Sequence, residues 1–252
     1  MSRRMRGSAI AIVGVLALGG CALDLPSLLA SGVPAPSSRD GNTGAVTTPA
    51  AGTSRAVADL PVKGRAPKTG YTRSEFGHAW SDDVSVELGH NGCDTRNDIL
   101  RRDLTSVSIK PRSNGCAVLT GRLHDPYSGA TINFRRGPAT SSSVQIDHVV
   151  SLSNAWQTGA QSWSPEKRRN FANDPRNLLA VSGVTNQSKG DGDTATWLPP
   201  NKVYRCSYVT RQVTVKRVYG LWVTAAEQRA MQRILATCRT PIGTNSTGVT
   251  NR

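Results

Sequence analysis

The chain has 252 residues, with 31 Lys and Arg against 17 Asp and Glu, for a formal charge of +14. Hydrophobic residues make up 37% and aromatics 5%, too few for an ordered core along the whole length, so part of the chain is expected to be tail or linker. The charge suits a polyanion such as nucleic acid, anionic lipid or acidic glycan, and the apolar run Ala9 to Leu18 is too short to span a bilayer, which excludes a polytopic membrane protein.

Arg3, Arg4 and Arg6 precede the apolar stretch Gly7 to Leu18, the layout of a secretory signal peptide over residues 1–20. It ends in Leu18-Gly-Gly-Cys21, which resembles a bacterial lipobox, where the cysteine is lipidated and becomes the first mature residue. The other reading is an ordinary signal peptide cleaved near Gly20. Residues 1–20 hold three Arg and no acid, so the mature chain keeps +11. The expected location is the cell envelope, with the membrane reached only through lipid on Cys21, or else the medium. Five cysteines are an odd number for an exported chain. Giving Cys21 to lipid leaves four, which allow three pairings; proximity favours Cys93–Cys116 and Cys206–Cys238. No two cysteines stand at C-x₂₋₄-C spacing, which argues against zinc.

Ser31 to Ala58 contains 21 Ser, Thr, Gly, Pro or Ala among 28 residues. We expect a flexible tether over residues 21–67, a folded domain over 68–239 and a loose tail over 240–252. Thr95-x-x-Asp98 before Ile99, Leu100 and Leu104 predicts a short capped helix. Ala117–Leu123 and Ala130–Phe134 read as strands around the turn Asp125-Pro-Tyr-Ser-Gly129. Val144 to Val150 alternates, with Val144, Ile146, His148 and Val150 on one face and Gln145, Asp147 and Val149 on the other. Ser164-Pro165-Glu166 starts a basic helix through Phe171, and Asn177–Val181 reads as a short strand. Asn186 to Asp191 reads as the start of a helix, and Tyr208–Tyr219 as β-prone. Thr224-x-x-Glu227 is a capping box opening a helix with Met231, Ile234, Leu235 and Cys238 on one face. The class expected is α+β.

Of the four histidines, His78, His90 and His124 stand in unremarkable contexts. His148 follows Asp147 at the end of an apolar segment, with Asn177-Leu-Leu-Ala-Val and Asn186-Gln-Ser-Lys189-Gly-Asp191 downstream. This order resembles the ββα-metal fold of HNH (His-Me finger) nucleases, in particular the exported HNH family similar to the C-terminal domain of GmrSD-type restriction enzymes. Gly92 to Leu100, Arg102-Asp-Leu104, Asp125 to Gly129, Ile146 to Val149, Ala155-Trp156, Phe171 to Asp174, Trp197-Leu-Pro-Pro200 and Tyr204-Arg-Cys206 carry the likeness across nearly the whole domain.

The resemblance implies a metal-dependent endonuclease. His148 would be the general base for water, and a near-neutral imidazole suits that role. Asp147 and Asn186 would hold a divalent ion through hard oxygens, with Mg²⁺ favoured, Mn²⁺ next and Zn²⁺ less so, since Asn186 stands where many relatives have His. Asn177 would pin the loop and orient His148, and Lys189, one turn after Asn186, would reach the phosphate. Ser151 departs from the Pro common in relatives at that position. The expected partner is nucleic acid, DNA first and RNA second, with the protein acting as a monomer. Lys167, Arg168, Arg169, Arg135 and Arg136, with Arg101-Arg102, form either a phosphate track or a solvated face. The competing class is a non-catalytic basic lipoprotein that binds DNA or another polyanion. A third class, a serine hydrolase acting on the envelope, is disfavoured because no G-x-S-x-G is present.

Overall fold

The computed structural model describes residues 49–238. The signal-peptide and lipidation readings at residues 1–20 and Cys21, and the tail expected from residue 240, lie outside the described residues. The described residues form seven α-helices and five strands in an α+β arrangement. The elements are α1 (Pro49–Ala58), α2 (Thr95–Asp103), β1 (Thr105–Ile109), β2 (Val118–His124), β3 (Thr131–Arg135), β4 (Val144–His148), α3 (Leu152–Gln157), α4 (Pro165–Asn173), β5 (Leu178–Ser182), α5 (Gly183–Lys189), α6 (Arg205–Tyr219) and α7 (Ala225–Ala236).

The first sheet is an antiparallel meander in the order β1-β2-β3. Helix α2 lies on it through Ile99, Leu100 and Leu104, which join Val118, Leu123 and Phe134 in one apolar cluster. Gly121 permits that approach, because a Cβ there would sit 2.6 Å from the Leu104 side chain. The helix is capped by Asp94, whose carboxylate accepts from Asn97 N, rather than by the Thr95 that the sequence pattern favoured.

The second sheet is the antiparallel pair β4–β5, with Val144 opposite Ser182 and His148 opposite Leu178. Helices α3 and α4 fill the connection between the two strands, and α5 follows β5 directly. Strand, strand and helix therefore form a ββα unit. Strict burial alternation fails along β4 because both faces are covered: every residue from Ile146 to Val150 is buried. Val144 and Ile146 join the α2 cluster, while Val149 and Val150 enter two other clusters.

Three sequence expectations need correction. Tyr208–Tyr219 is a helix, α6, not a strand. Its β-branched residues favour strands locally, yet Tyr208, Val209, Gln212, Val213, Val215, Lys216 and Tyr219 are buried along a helical stripe, and tertiary burial overrides propensity. Gly220, at φ 70°, ends it. Helix α5 begins at Gly183 and ends at Lys189, so Asn186–Lys189 is its last turn, not its first.

The tether expectation also fails from residue 49 onward. Ala56, Val57 and Leu60 are buried in the cluster that holds α6 and α7. Val62 bridges Val223, and Arg65 pairs with Asp193 at 2.7 Å. Small residues dominate this stretch and masked one short apolar stripe. Leu60→Ala should therefore cost about 2–5 kcal/mol in a denaturant melt; no change would return residues 49–67 to a loose tether.

Both favoured disulfides are present, Cys93–Cys116 and Cys206–Cys238, closing sequence separations of 23 and 32 residues. The second ties the start of α6 to the second residue after α7. Replacing Cys206 and Cys238 together by Ser should lower stability by about 3–4 kcal/mol on the chain-entropy account. Denaturation of the oxidised double variant beside wild type measures it, and equal midpoints would count against the bridge.

Candidate active site

Strand β4 ends at His148, and Asn177 fixes the turn after it. The Asn177 side chain accepts from Val150 N at 2.8 Å and donates to Val150 O at 3.1 Å, while its own carbonyl accepts from Val149 N at 2.8 Å. Both polar ends of one buried amide are thus used on one residue's backbone, so the chain can turn only one way after His148. Ser151 then caps α3, its hydroxyl accepting from Asn154 N.

Asp147 is buried. Its Oδ2 accepts from the Tyr127 hydroxyl at 2.5 Å, and its Oδ1 accepts from the Lys189 ammonium at 2.8 Å. Lys189 also donates to the His148 carbonyl at 2.8 Å. Burial pushes the Asp147 carboxyl up from its usual range, and the Lys189 charge opposes that push. Burial likewise holds the Tyr127 phenol well above its ordinary value, so it remains a donor. Lys189 was expected to touch phosphate; its ammonium is instead enclosed and committed to two groups of the protein itself.

Asn186, on α5, donates its amide to Gln145 Oε1 on β4 at 2.8 Å. Its Oδ1 accepts no hydrogen bond among the described residues. Gln145, Asp147, His148, Asn186 and Asp191 line one cavity of about 210 Å³. Asp191 stands at its edge, paired to Lys68 at 2.6 Å. Burial would raise the Asp191 carboxyl, but hydrogen bonds from Lys68 and Ser153 hold it below the usual range.

Among the described residues no three His, Cys, Asp or Glu side chains converge as a ligand set. With Asp191 paired to Lys68, the donors on offer are the Asp147 carboxylate and the Asn186 amide oxygen. That pair fits a hard divalent ion that keeps most of its waters, as Mg²⁺ does. Asn186 Oδ1 is the freer donor, and Asp147 has one lone pair left on each oxygen.

His148 Nε2 lies 2.8 Å from the Ala172 carbonyl, which can only accept, so Nε2 carries the proton and Nδ1 the lone pair. The ring lies 6.0 Å from the Trp80 ring at an interplanar angle of 15°. Burial lowers the imidazole pKa to about 3 against the ordinary 6.5; the Ala172 hydrogen bond opposes the fall, and the charges of Arg73 and Lys189 add to it. The unprotonated form is therefore present throughout the neutral range, and burial takes His148 well below the near-neutral pKa that the sequence reading expected.

Of the basic residues offered as a phosphate track, most are used elsewhere. Arg168 donates to the carbonyls of Glu75, Ala160 and Trp163. Arg169 pairs with Asp83 at 3.2 Å, and Arg136 binds Val118 O and the Asn97 side chain. Arg101 faces Gly115 O, and Arg102 holds Pro175 O and Leu178 O. Lys167 lies 4.6 Å above the Trp163 ring with its head exposed, and Arg135 is exposed on β3. Only these last two keep the track role open.

Sequence reasoning missed Tyr127, Gln145, Trp80, Arg73 and Asp191. Gln145 was legible, since it shares the Asp147 face of an alternating strand. Tyr127 read only as part of a turn, and nothing local marked Trp80.

The depressed His148 pKa has a sign that can be checked. Below pH 6.5 the unfolded chain binds a proton that the folded one refuses, so stability falls as pH drops from 6.5 toward 3. His148→Gln should show a shallower acid loss than wild type over that window in EDTA, read by denaturation at several pH values. Parallel curves would mean that His148 is not held neutral by the fold.

A family model described as "GmrSD restriction endonucleases, C-terminal domain" matches residues 94–234. An uncharacterized secreted protein of Arthroderma benhamiae is 40% identical over 193 residues, covering 75% of this chain and 87% of that protein. No solved structure matches.

Proposed function

This chain belongs to the family of GmrSD restriction endonuclease C-terminal domains, and we propose that it is an exported, metal-dependent endonuclease that hydrolyses phosphodiester bonds of nucleic acid, DNA before RNA. One observation carries the reading: His148 has its Nε2 proton given to a backbone carbonyl and its other nitrogen left with its lone pair, in the wall of a cavity shared with Asp147 and Asn186. The two disulfides and the secreted relative support export. Lipid on Cys21 remains part of the proposal for how the protein is held at the cell envelope, and release to the medium is its alternative.

In this reading His148 Nδ1 takes the proton from the attacking water. The Ala172 carbonyl fixes the tautomer that makes this possible. The Asn177 clasp and the Lys189 bond to the His148 carbonyl fix the backbone that carries the ring. Asp147 and Asn186 would hold the divalent ion, Mg²⁺ rather than Zn²⁺, which when bound neutralises phosphate charge and stabilises the leaving oxygen. A non-catalytic polyanion binder is the second reading, but it has no use for a buried His148 beside the cavity of Asp147 and Asn186.

His148→Ala should reduce plasmid cleavage by about 10²–10⁴-fold in Mg²⁺ while the fold survives. EDTA should abolish wild-type cleavage, and Asn186→Ala should raise the metal concentration needed for half-maximal rate. Cleavage that ignores EDTA, or a His148→Ala chain as fast as wild type, would remove the assignment.

A further inference from the structure

We propose that a second cavity, which shares His148 with the first, is a subsite for one unpaired nucleobase, and that the enzyme therefore acts on single-stranded nucleic acid in preference to duplex. This rests on the nuclease reading and adds to it the form of the substrate. The cavity holds about 240 Å³ and is walled by Phe76, Ala79, Trp80, Leu152 and Ala172, with His148 at its boundary. That volume lies below the roughly 300–1,000 Å³ of pockets for larger ligands, which sizes it for a single ring system. Its lining is chiefly apolar and aromatic, the surface on which bases stack with little regard to their identity.

Three observations point to a base rather than to incidental space. First, His148 lines both this cavity and the one with Asp147 and Asn186. A base in the first therefore places its own phosphodiester at the second. Second, Arg73 also lines both. It is exposed and makes no ion pair or side-chain hydrogen bond among the described residues, so its guanidinium is available to a phosphate at the junction.

Third, Trp80 is held in a strained backbone. Its φ is 59°, a left-handed conformation that is rare for a bulky residue. Such strain persists only where the surroundings over-determine it, and here they do. The Trp80 carbonyl accepts from Thr95 N, the Asp82 carboxylate accepts from Asn91 N and Gly92 N, and Cys93 is bridged to Cys116. The result is an indole set nearly parallel to the His148 ring. The wall from Arg73 to Trp80 precedes the family match, which starts at residue 94, so family membership does not account for it.

The preference for single strands is a matter of access. A base in a duplex is paired and stacked, and must be rotated out of the helix to enter a walled cavity, at a free-energy cost. An unpaired strand offers its base without that step.

The test uses the mature chain with Mg²⁺ on a short labelled single strand and on the same sequence as a blunt duplex. Wild type should cut the single strand with a kcat/KM at least about tenfold higher. Trp80→Ala should lower that ratio by about tenfold, and Trp80→Phe should restore most of it. Ala79→Phe, which fills the cavity and keeps Trp80, should lower the ratio in the same way and gives the answer if Trp80→Ala does not fold. Equal rates on both substrates, or a ratio that Ala79→Phe leaves unmoved, would overturn the subsite while the nuclease stands. A binding arm in EDTA separates the two readings. Thymidine 5′-monophosphate should shift the NMR signals of the Trp80 indole, and deoxyribose 5-phosphate should not. If wild type cuts nothing, the nuclease reading fails and this arm alone judges the subsite. Equal response to the two probes, or none to the nucleotide, rejects it.

Discussion

A carboxylate buried beside an ammonium and a phenol holds the centre of this molecule together. Asp147 comes from β4, Lys189 from the end of α5 and Tyr127 from the turn between β2 and β3. An unpaired buried charge is strongly destabilising, so these three segments have to meet. Their meeting sets the height of α5 against β4, and with it the place where Asn186 faces Gln145. Lys189 also binds the His148 carbonyl, which couples the ion pair to the backbone of the candidate base. Tyr127 in turn packs edge-on against Tyr208 of α6, at 5.6 Å between centroids, and so ties the site to the C-terminal helices.

How much of this was legible in the sequence depended on the range of the cause. Caps and turns are local, and Ser164, Thr224 and the Asp125–Gly129 turn stand where their residue types place them. The Asp147-His148, Asn177 and Asn186 order stood out through its resemblance to HNH nucleases, and the fold brings Asp147, His148 and Asn186 to one cavity. What could not be read depends on contacts far along the chain. Helix α6 has a strand-like composition and is helical because its buried stripe meets α1 and α7. Residues 49–67 look like a linker and become part of the core through Val57 and Leu60. Lys189 has the right spacing for a phosphate contact, yet the buried Asp147 claims it first. Trp80 lies 68 residues before His148, and no spacing rule connects them.

Net charge was the least informative signal for the site. A charge of +14 suggests a broad basic face, but a guanidinium is also the best donor to a cluster of carbonyls. Arg96 holds the Ser141 and Val144 carbonyls, Arg102 those of Pro175 and Leu178, and Arg168 those of Glu75 and Trp163. These bonds clamp α2, β5 and α4 to their neighbours. The positive field remains, because pairing with a neutral carbonyl leaves the charge in place, and it still draws a polyanion from a distance. On the proposed reading close contact with phosphate falls to fewer residues, of which Arg73, lining both cavities, is the best placed.

The charges around the two cavities do not balance. Asp147 and Asp191 face Lys189, Lys68 and Arg73, so cations outnumber acids before anything binds. A site meant to hold a divalent ion by itself would show the opposite balance, with several carboxylates and no ammonium. On the proposed reading the deficit is made up by substrate, since a phosphodiester brings the negative charge and hard oxygens that Asp147, once matched by Lys189, no longer fully supplies. Ion and phosphate then complete each other in the cavity. A His148 kept neutral by burial keeps its lone pair beside them without adding a further positive charge.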